Sequence, residues 1–182
     1  MIIERSKQLF ARVTSPLGKL LLVGTEQGTS VALCGLYFED ARHADHAIGA
    51  GAVEERRAFA DVLEQLDAYF AGNRRAFALK LAPRGTDFQR RVWQALADIP
   101  YGETTTYAAI ARTIGQPKAV RAVGAANGKN PISIVVPCHR VIGQDGTLTG
   151  YAGGLASKQR LLELEARYTQ ALGRAPHAPA PV

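Results

Sequence analysis

The 182-residue chain contains 47% hydrophobic residues, which is enough to bury a core and to build one or two small domains. No apolar run approaches the roughly 18 residues of a membrane span, and charges interrupt the first ten positions where a secretory signal would be apolar, so we expect a cytoplasmic protein with no membrane partner. The formal net charge is +6, and two cysteines, Cys34 and Cys138, are too few for a disulfide framework.

The N-terminal part predicts a small α+β domain. Between Gln8 and Phe38, apolar and β-branched runs alternate with the turn sequences SPLG and EQG, which predicts three β-strands. After a polar loop over residues 39–52, apolar residues recur at helical spacing through residues 53–72. We therefore expect a three-stranded antiparallel sheet with one helix over residues 1–82, ending where turn residues cluster in LAPRGT.

The second part begins with the segment TDFQRRVWQALADIP, which predicts a helix that starts with a capping box of Thr86 and Gln89. Two short helices follow in residues 104–115 and 118–127, joined by Gly-Gln-Pro. Two short helices with a tight, glycine-containing link are typical of a helix-turn-helix, although an ordinary helical hairpin shows the same pattern.

This helix pair falls in a stretch that has no acidic residue between Glu103 and Asp145. The cations inside the stretch are Arg112, Lys118, Arg121, Lys129 and Arg140. An unneutralised cationic segment is typical of a phosphate-binding surface, while a solvated face that happens to lack acids remains the alternative. Lys118 and Arg121 stand near the start of the second helix, where a recognition helix makes its contacts.

Beyond the helix pair, ISIVV predicts a short buried strand and TGYAGG a glycine-rich loop. A last helix is predicted over LASKQRLLELEARY, with four leucines as apolar anchors: Leu155, Leu161, Leu162 and Leu164. These elements predict a mainly helical domain over residues 86–168. The Ala/Pro-rich residues 173–182 predict a disordered tail.

The sequence PCHR sets a thiol, an imidazole and a guanidinium side by side. A thiol attacks as its thiolate, so a nucleophilic Cys138 needs a base such as His139, reached directly or through a water molecule. A carboxylate behind the imidazole would fix its tautomer, and both Glu163 and Glu165 are candidates. A buried, inert structural thiol is the alternative interpretation of Cys138.

The other thiol, Cys34, precedes His43 and His46 in the sequence. A zinc site built from these three side chains would lack a fourth ligand and the close cysteine pairing typical of such sites. We therefore predict no metal site and interpret Cys34 as a core residue of the third strand.

The segment PCHRVIG is preceded by GKNPISIVV and followed by TGYAGGLASKQRLLELE, with FQRRVWQALADIPYGETTTYAAIA and PKAVRAVGAANGKNP upstream. Together these motifs resemble the active-site region of the O6-alkylguanine-DNA alkyltransferases (methylated-DNA–protein-cysteine methyltransferases). The resemblance covers nearly all of residues 86–165, and the N-terminal region resembles the variable first domain of the family more loosely. It implies a ribonuclease H-like N-terminal domain followed by a winged helix-turn-helix-like DNA-binding domain.

The resemblance also implies a function: Cys138 would take the alkyl group from O6-alkylguanine, and from O4-alkylthymine, in a single irreversible turnover that needs no cofactor. His139 would draw off the thiol proton through a water molecule, with Glu165 polarising His139. Asn130 would hold together the turn that links the recognition helix to the active-site segment. Tyr107 would donate a hydrogen bond to the guanine and help rotate the nucleotide outward.

Double-stranded DNA containing alkylated guanine is the implied partner, and we expect a monomer. Arg121 would fill the stack that the flipped base vacates, because a base inside a duplex cannot present its exocyclic oxygen to a protein thiolate. The DNA-binding set is Tyr107, Lys118, Ala119, Arg121, Ala122 and Lys129. The substrate-pocket set is Trp93, Ser133, Val141, Tyr151 and Ala152, with the backbone carbonyls of Cys138 and Val141 accepting the guanine amino group.

Two positions depart from some relatives: Ser133 stands where they carry a second proline, and Gly150 where they carry a larger residue. Both choices predict a pocket that accepts alkyl groups larger than methyl. A non-catalytic alkyltransferase-like lesion-binding protein is the alternative function, but such relatives lack the acceptor cysteine. A transcription regulator would carry an extra cysteine-rich zinc region, which these 182 residues lack, and nothing in the sequence identifies the oxyanion hole of a cysteine hydrolase.

Overall fold

The N-terminal part of the protein is built on a four-stranded sheet. The computed structural model describes residues 7–28, 30–41, 44 and 46–173, so His43 and residues 174–182 of the predicted tail lie outside it. The strands are β1 (Gln8–Ser15), β2 (Gly18–Gln27), β3 (Ser30–Phe38) and β4 (Val53–Glu54), in the order β3-β2-β1-β4. The first three strands are antiparallel, as predicted, and β4 runs parallel to β1.

The fourth strand corrects the prediction of one helix over residues 53–72. Val53 and Glu54 pair with β1, and the Glu55 amide donates to the Phe10 carbonyl at 2.9 Å. A 3₁₀ turn over Arg56–Phe59 follows, and helix α1 covers only Ala60–Phe70. A two-residue pairing satisfies backbone groups at the edge of β1, but it is too short to leave a periodic pattern in the sequence.

The C-terminal part is mainly helical, as predicted. Its elements are α2 (Asp87–Ala97), β5 (Thr105–Thr106), α3 (Tyr107–Thr113), α4 (Val120–Gly128), β6 (Val141–Ile142) and α5 (Gly154–Gly173). The capping box of α2 is formed: the Thr86 hydroxyl accepts from the Gln89 amide and the Gln89 side chain accepts from the Thr86 amide. Helix α4 begins at Val120, so Lys118 lies just before the helix and not inside its first turn.

The predicted strand ISIVV is a buried turn. Within it the Val135 amide donates to Ser133 at 2.8 Å and the Val136 amide donates to Ile132 at 2.9 Å, so these backbone groups are paired locally and not in a ladder. Ile134 has φ of 71°, which no strand accommodates. The prediction failed because burial alone makes an apolar run look like a strand, and a compact buried turn has the same composition.

The leucines predicted as anchors of α5 are only partly confirmed: Leu161 is buried in the core and Leu164 packs against it. Leu155 is 49% exposed and is not an anchor, whereas Leu161 is 1% exposed. The other fully buried side chains of this face are polar: Lys158 and Glu165, each 0% exposed. Positions 158, 161 and 165 share one face at helical spacing, so the core side of α5 carries two charged residues.

The two parts of the protein share one hydrophobic core. Leu36 of the sheet, Tyr69 of α1, Trp93 of α2 and Leu161 of α5 are buried in the same cluster. Backbone contacts also join the parts, since the Leu36 amide donates to Pro131 and the Ser133 amide donates back to Leu36. The architecture is thus the predicted α+β class, and none of the helices in the described residues is long and apolar enough to span a membrane.

Candidate active site

The Asn130 side chain holds the turn that precedes the thiol. Its Nδ2 donates to the Val136 carbonyl at 2.8 Å, and its Oδ1 accepts from the Ile132 amide at 3.0 Å. These bonds substitute for the ladder that a strand would provide, and they fix the backbone that leads into the 3₁₀ turn Cys138–Arg140. Cys138 therefore sits at a defined position, 3% exposed.

The resting thiol is protonated at neutral pH. Burial raises the pKa of Cys138 to about 11, although the Asn130 side chain and the nearby Lys158 charge act in the opposite direction. A nucleophile with so high a pKa needs a base at the moment of attack. An inert structural thiol would need no base beside it, so the surroundings of His139 help to distinguish the two interpretations of Cys138.

His139 and Glu165 form a buried pair. The distance between His139 Nε2 and Glu165 Oε1 is 3.0 Å, and both side chains are 0% exposed. Glu163, the other candidate carboxylate, is exposed and accepts a hydrogen bond from Gln159 at 2.8 Å. The structure therefore brings Glu165, and not Glu163, to the imidazole.

Glu165 is ionised and saturated with donors. Burial alone would raise its pKa, but the hydrogen bonds from His139 and Arg140 outweigh burial and lower the pKa to about 2. The remaining donors are the Tyr69 hydroxyl at 2.6 Å and the Gly102 amide at 3.0 Å. A carboxylate with this many donors stays charged throughout the physiological pH range.

The ionised carboxylate determines the tautomer of His139. Since Glu165 can only accept, the proton of the neutral imidazole lies on Nε2 and the lone pair lies on Nδ1. Burial lowers the pKa of His139, and Glu165 only partly offsets this effect. His139 Nδ1 is buried and has no hydrogen-bond partner among the residues that the structure describes, so a basic lone pair is available there.

Lys158 is a buried cation that the sequence analysis missed. Its Nζ donates to the Val141 carbonyl at 2.6 Å and to the Thr149 carbonyl at 2.9 Å, which ties β6 to the glycine-rich loop. Burial lowers the pKa of Lys158, whereas the neighbouring Cys138 raises it. The available signal was its place on the same helical face as Leu161 and Glu165. Because a carbonyl has two lone pairs, Val141 can still accept a second donor.

A cavity of about 630 Å³, within the size range of small-molecule sites, is bounded by Tyr151, whose ring centroid lies 6.4 Å from that of His139. Cys138 itself is not among the residues that line it. The residues that line it include Asp40, Ala41, Tyr107, Gly124, Gly128, Thr149, Gly150, Tyr151, Ala152 and Gly154. Tyr107 reaches across it, with its hydroxyl 2.7 Å from Thr149 Oγ1. Burial raises the pKa of Tyr151, and an ionised Cys138 would raise it further.

Not every predicted pocket residue lines the cavity. Tyr107, Tyr151 and Ala152 do so. Trp93 is buried beneath α4, where its Nε1 donates to the Ala126 carbonyl at 2.9 Å. Ser133, 1% exposed in the buried turn, and Val141, 0% exposed in β6, do not line the cavity either. The position of Trp93 therefore allows it to support the core but not to contact a substrate in the cavity.

The predicted DNA-binding side chains form an exposed surface around α4. Lys118, Arg121, Ala122 and Lys129 are exposed, and Ala119 is half-buried. Arg140 is not part of the exposed cationic surface that the sequence predicted. It is 6% exposed, and its guanidinium pairs with Glu165 at 2.9 Å. The surface cations of this segment are thus confined to the helix pair and its flanks.

The second cysteine is separate from this site. Cys34 lies on β3, half-buried, with its sulfur 3.0 Å from Thr25 Oγ1. It is less buried than the predicted core position required. No group of side chains in the described residues could hold a metal ion, and His43, one of the three side chains considered for a zinc site, lies outside those residues.

A buried thiol next to a His–Glu pair, with a cavity lined in part by the helix pair, is the arrangement expected of a DNA-alkyl acceptor, and comparisons with known proteins show that class. Residues 87–167 match the family described as 6-O-methylguanine DNA methyltransferase, DNA binding domain, and residues 9–83 match its ribonuclease-like domain. The chain belongs to the 6-O-methylguanine DNA methyltransferase family.

Similar proteins carry consistent names. The methylated-DNA–protein-cysteine methyltransferase of Methanosarcina barkeri is 50% identical over 160 residues, covering 84% of this chain and 94% of the relative. The protein of the same name from Mycolicibacterium paratuberculosis is 52% identical over 163 residues, covering 89% and 94%. The crystal structure of Mycobacterium tuberculosis OGT in complex with DNA superposes with a TM-score of 0.79 at 47% identity, covering 88% of this chain and 94% of that one.

Proposed function

We propose that this protein repairs O6-alkylguanine in double-stranded DNA by moving the alkyl group to Cys138, once per molecule. The observation that carries the proposal is the buried Cys138–His139–Glu165 arrangement next to a cavity of about 630 Å³. The match to 6-O-methylguanine DNA methyltransferase domains over both parts of the chain supports the same reaction.

The chemical step conserves atoms and charge. The thiol proton passes to His139 Nδ1 through one bridging water molecule, and the sulfur then displaces guanine at the alkyl carbon. The carbon–sulfur bond forms as the carbon–oxygen bond breaks, and the electron pair of that bond leaves with the guanine, which takes up one proton. The product thioether is a poor leaving group, so the protein is consumed and needs no cofactor.

The Tyr107 hydroxyl is the donor closest to the base in this proposal. It sits at the cavity wall, 2.7 Å from Thr149 Oγ1, in a contact in which either hydroxyl can donate; when Thr149 donates, the Tyr107 proton is free for the base. A donor held in place at the leaving base neutralises charge that develops there in the transition state. The Ala152 amide and the carbonyls of Cys138 and Val141 would complete recognition of the guanine.

DNA would meet the exposed surface of α4. Lys118 and Lys129 flank the helix as phosphate contacts, and the small side chains of Ala119 and Ala122 allow the backbone to approach closely. Arg121 is exposed on the first turn of α4 and would enter the stack after the base flips outward. Flipping costs a few kcal/mol, less for a poorly paired alkylated guanine.

Open space in the cavity supports the proposal that the pocket accepts alkyl groups larger than methyl. Gly124, Gly128 and Gly150 line it without side chains, and an added Cβ at Gly128 or Gly150 would meet no atom within 4 Å. We further propose O4-alkylthymine as a second substrate, a monomeric protein and a cytoplasmic location. Comparable rates on methylated and benzylated guanine would support the wide pocket, and a strict preference for methyl would refute it.

The non-catalytic lesion-binding alternative is not supported, because Cys138 is present and the similar proteins are named methyltransferases. The function is tested with a duplex that carries a radiolabelled O6-methylguanine. Wild type and Cys34→Ala should retain the label on protein, whereas Cys138→Ala should bind the duplex and transfer nothing. Label on the Cys138→Ala variant would refute the assignment.

A further inference from the structure

The N-terminal part contributes one side chain to the proposed acid–base pair. Tyr69 lies on α1, is 0% exposed, and its hydroxyl is 2.6 Å from Glu165 Oε1, 96 positions away in sequence. We infer that Tyr69 is a positioning residue that sets the basicity of His139 through Glu165. The inference rests on the proposed function, since it gives His139 the role of base.

Tyr69 acts as a permanent donor in this contact. Burial raises the pKa of Tyr69 far above its usual value, and the Glu165 charge raises it further. The phenol therefore keeps its proton at neutral pH, and the ionised Glu165 accepts. At 2.6 Å the bond is a short, charge-assisted one.

The oxygen that Tyr69 binds is the same one that faces His139. Glu165 Oε1 accepts from Tyr69, from His139 Nε2 at 3.0 Å and from Arg140 at 2.9 Å. A carboxylate oxygen has two lone pairs, so these donors compete for it. Each donor that takes up charge on Oε1 weakens the attraction of Glu165 for the imidazole proton.

The consequence for His139 has a definite sign. A carboxylate near an imidazole favours the charged imidazolium and raises its pKa. By drawing charge from Oε1, Tyr69 limits that rise and keeps Nδ1 unprotonated near neutral pH, where it must receive the thiol proton. The titratable groups that surround the pair are Tyr69, Tyr101, Cys138, Arg140, Tyr151 and Lys158.

Tyr101 provides a matched control. Its ring packs edge-on against Tyr69 at 5.9 Å between centroids, and it lies beside the same Arg140 guanidinium at 5.6 Å. Its hydroxyl is buried but has no hydrogen-bond partner in the part of the chain that the structure describes. Tyr101→Phe thus deletes a neighbouring hydroxyl without touching the Glu165 contact.

The test measures single-turnover transfer from a methylated duplex between pH 5 and 9. For Tyr69→Phe, the acid limb of the rate profile should move to higher pH by about 0.5 to 1 unit, which slows transfer below that limb by about 3- to 10-fold. The plateau at higher pH should change by less than about 3-fold, and Tyr101→Phe should match wild type. An acid limb that does not move in Tyr69→Phe overturns the inference, whether transfer keeps its wild-type rate or is slowed equally at every pH, because a merely structural role would affect every pH alike.

His139→Gln separates this inference from the proposed function. If His139→Gln transfers at the wild-type rate with the same acid limb, the proposed base is wrong and the inference falls with it. If His139→Gln is slow while Tyr69→Phe matches wild type, the base stands and only the role of Tyr69 is refuted.

A second measurement needs no variant of Tyr69 to fold. In wild type, a hydroxyl proton shared with Glu165 should give a downfield NMR resonance that is protected from exchange and close to the Tyr69 ring protons. Tyr101→Phe should keep this resonance. Failure to find it in wild type overturns the inference.

Discussion

Glu165 collects more hydrogen bonds than any other side chain of the described residues, and its removal should be costly. Glu165→Gln leaves the buried Arg140 without a carboxylate, so we expect a loss of about 3 kcal/mol in the free energy of unfolding. Transfer should slow on the order of 10²-fold, because the imidazole loses the partner that orients it. Urea denaturation and single-turnover kinetics measure both effects.

The matched control for this variant is Glu163→Gln. Glu163 is exposed on the same helix and accepts only from Gln159, so its replacement should change stability by less than about 0.5 kcal/mol and leave transfer unchanged. Equal effects of the two variants would contradict the assignment of Glu165 to His139.

The sequence identified the reactive residues but not all of their partners. Cys138 and His139 are adjacent, so a local motif reveals them. The choice between Glu163 and Glu165 depends on the rotation of α5 against the turn, which two-residue spacing does not determine. The roles of Lys158 and Tyr69 were not predicted. A lysine is expected at the surface and an aromatic residue in the core, and their contacts form only when elements distant in sequence pack together.

At the scale of elements, the buried turn before Cys138 depends on one amide. Asn130→Ala removes its bonds to Val136 and Ile132 and leaves buried backbone groups without partners. We expect a loss of about 2 to 3 kcal/mol in the free energy of unfolding and slower transfer, because the thiol loses its fixed position. The exposed Asn73→Ala provides a control that should be close to wild type, and an unperturbed Asn130→Ala would show that the turn is held by packing alone.

Variants of α4 and its flank should separate base flipping from duplex binding. Arg121→Ala removes the side chain that enters the stack, so duplex repair should slow by about 10-fold or more while the free modified base reacts at the wild-type rate. Lys129→Ala should instead weaken duplex binding and reduce its salt dependence by about one counterion. Equal slowing of Arg121→Ala on duplex and on free base would contradict the flipping role.

Helices with caps were predictable, and irregular elements were not. The Thr86–Gln89 capping box is local, so its sequence signature translated directly into the start of α2. The two-residue strand β4 and the turn at Ile134 exist only because a sheet edge and a buried amide lie next to them. Long-range contacts of this kind produce no periodic pattern in the sequence, so a local pattern cannot predict them.

For the whole molecule, the buried site predicts a dome-shaped dependence of stability on pH. His139 has a pKa lowered from 6.5, so its contribution is present at neutral pH and is lost as pH falls below about 6.5. Glu165 has a pKa lowered from 4.5 to about 2, so its contribution is lost only as pH falls from about 4.5 towards 2. Cys138 has a pKa raised to about 11, so its contribution is lost as pH rises above about 8.5. Urea midpoints between pH 3 and 10 check this.

Two variants assign the limbs of that profile. Cys138→Ala should flatten the alkaline side, and Glu165→Gln should flatten the acid side below about pH 4.5 while the part that His139 contributes remains. An alkaline limb that persists in Cys138→Ala would show that another group causes it.

The shared core explains why the two parts act as one unit. Tyr69 and Leu36 of the first part belong to the same buried cluster as Trp93 and Leu161 of the second, and the Tyr69 hydroxyl donates to Glu165 across that boundary. The structure changes from a sheet with one helix to a mainly helical part near the predicted division at residues 82–86, but the hydrophobic core continues across it.

The central claim is that one sulfur atom receives and keeps the alkyl group. Peptide mass spectrometry after incubation with excess alkylated duplex tests it directly. We predict one alkyl group per protein molecule, carried by the Cys138 peptide, with an equal amount of lesion lost from the DNA and the Cys34 peptide unmodified. Alkyl groups on Cys34, or more than one lesion repaired per protein molecule, would contradict the account.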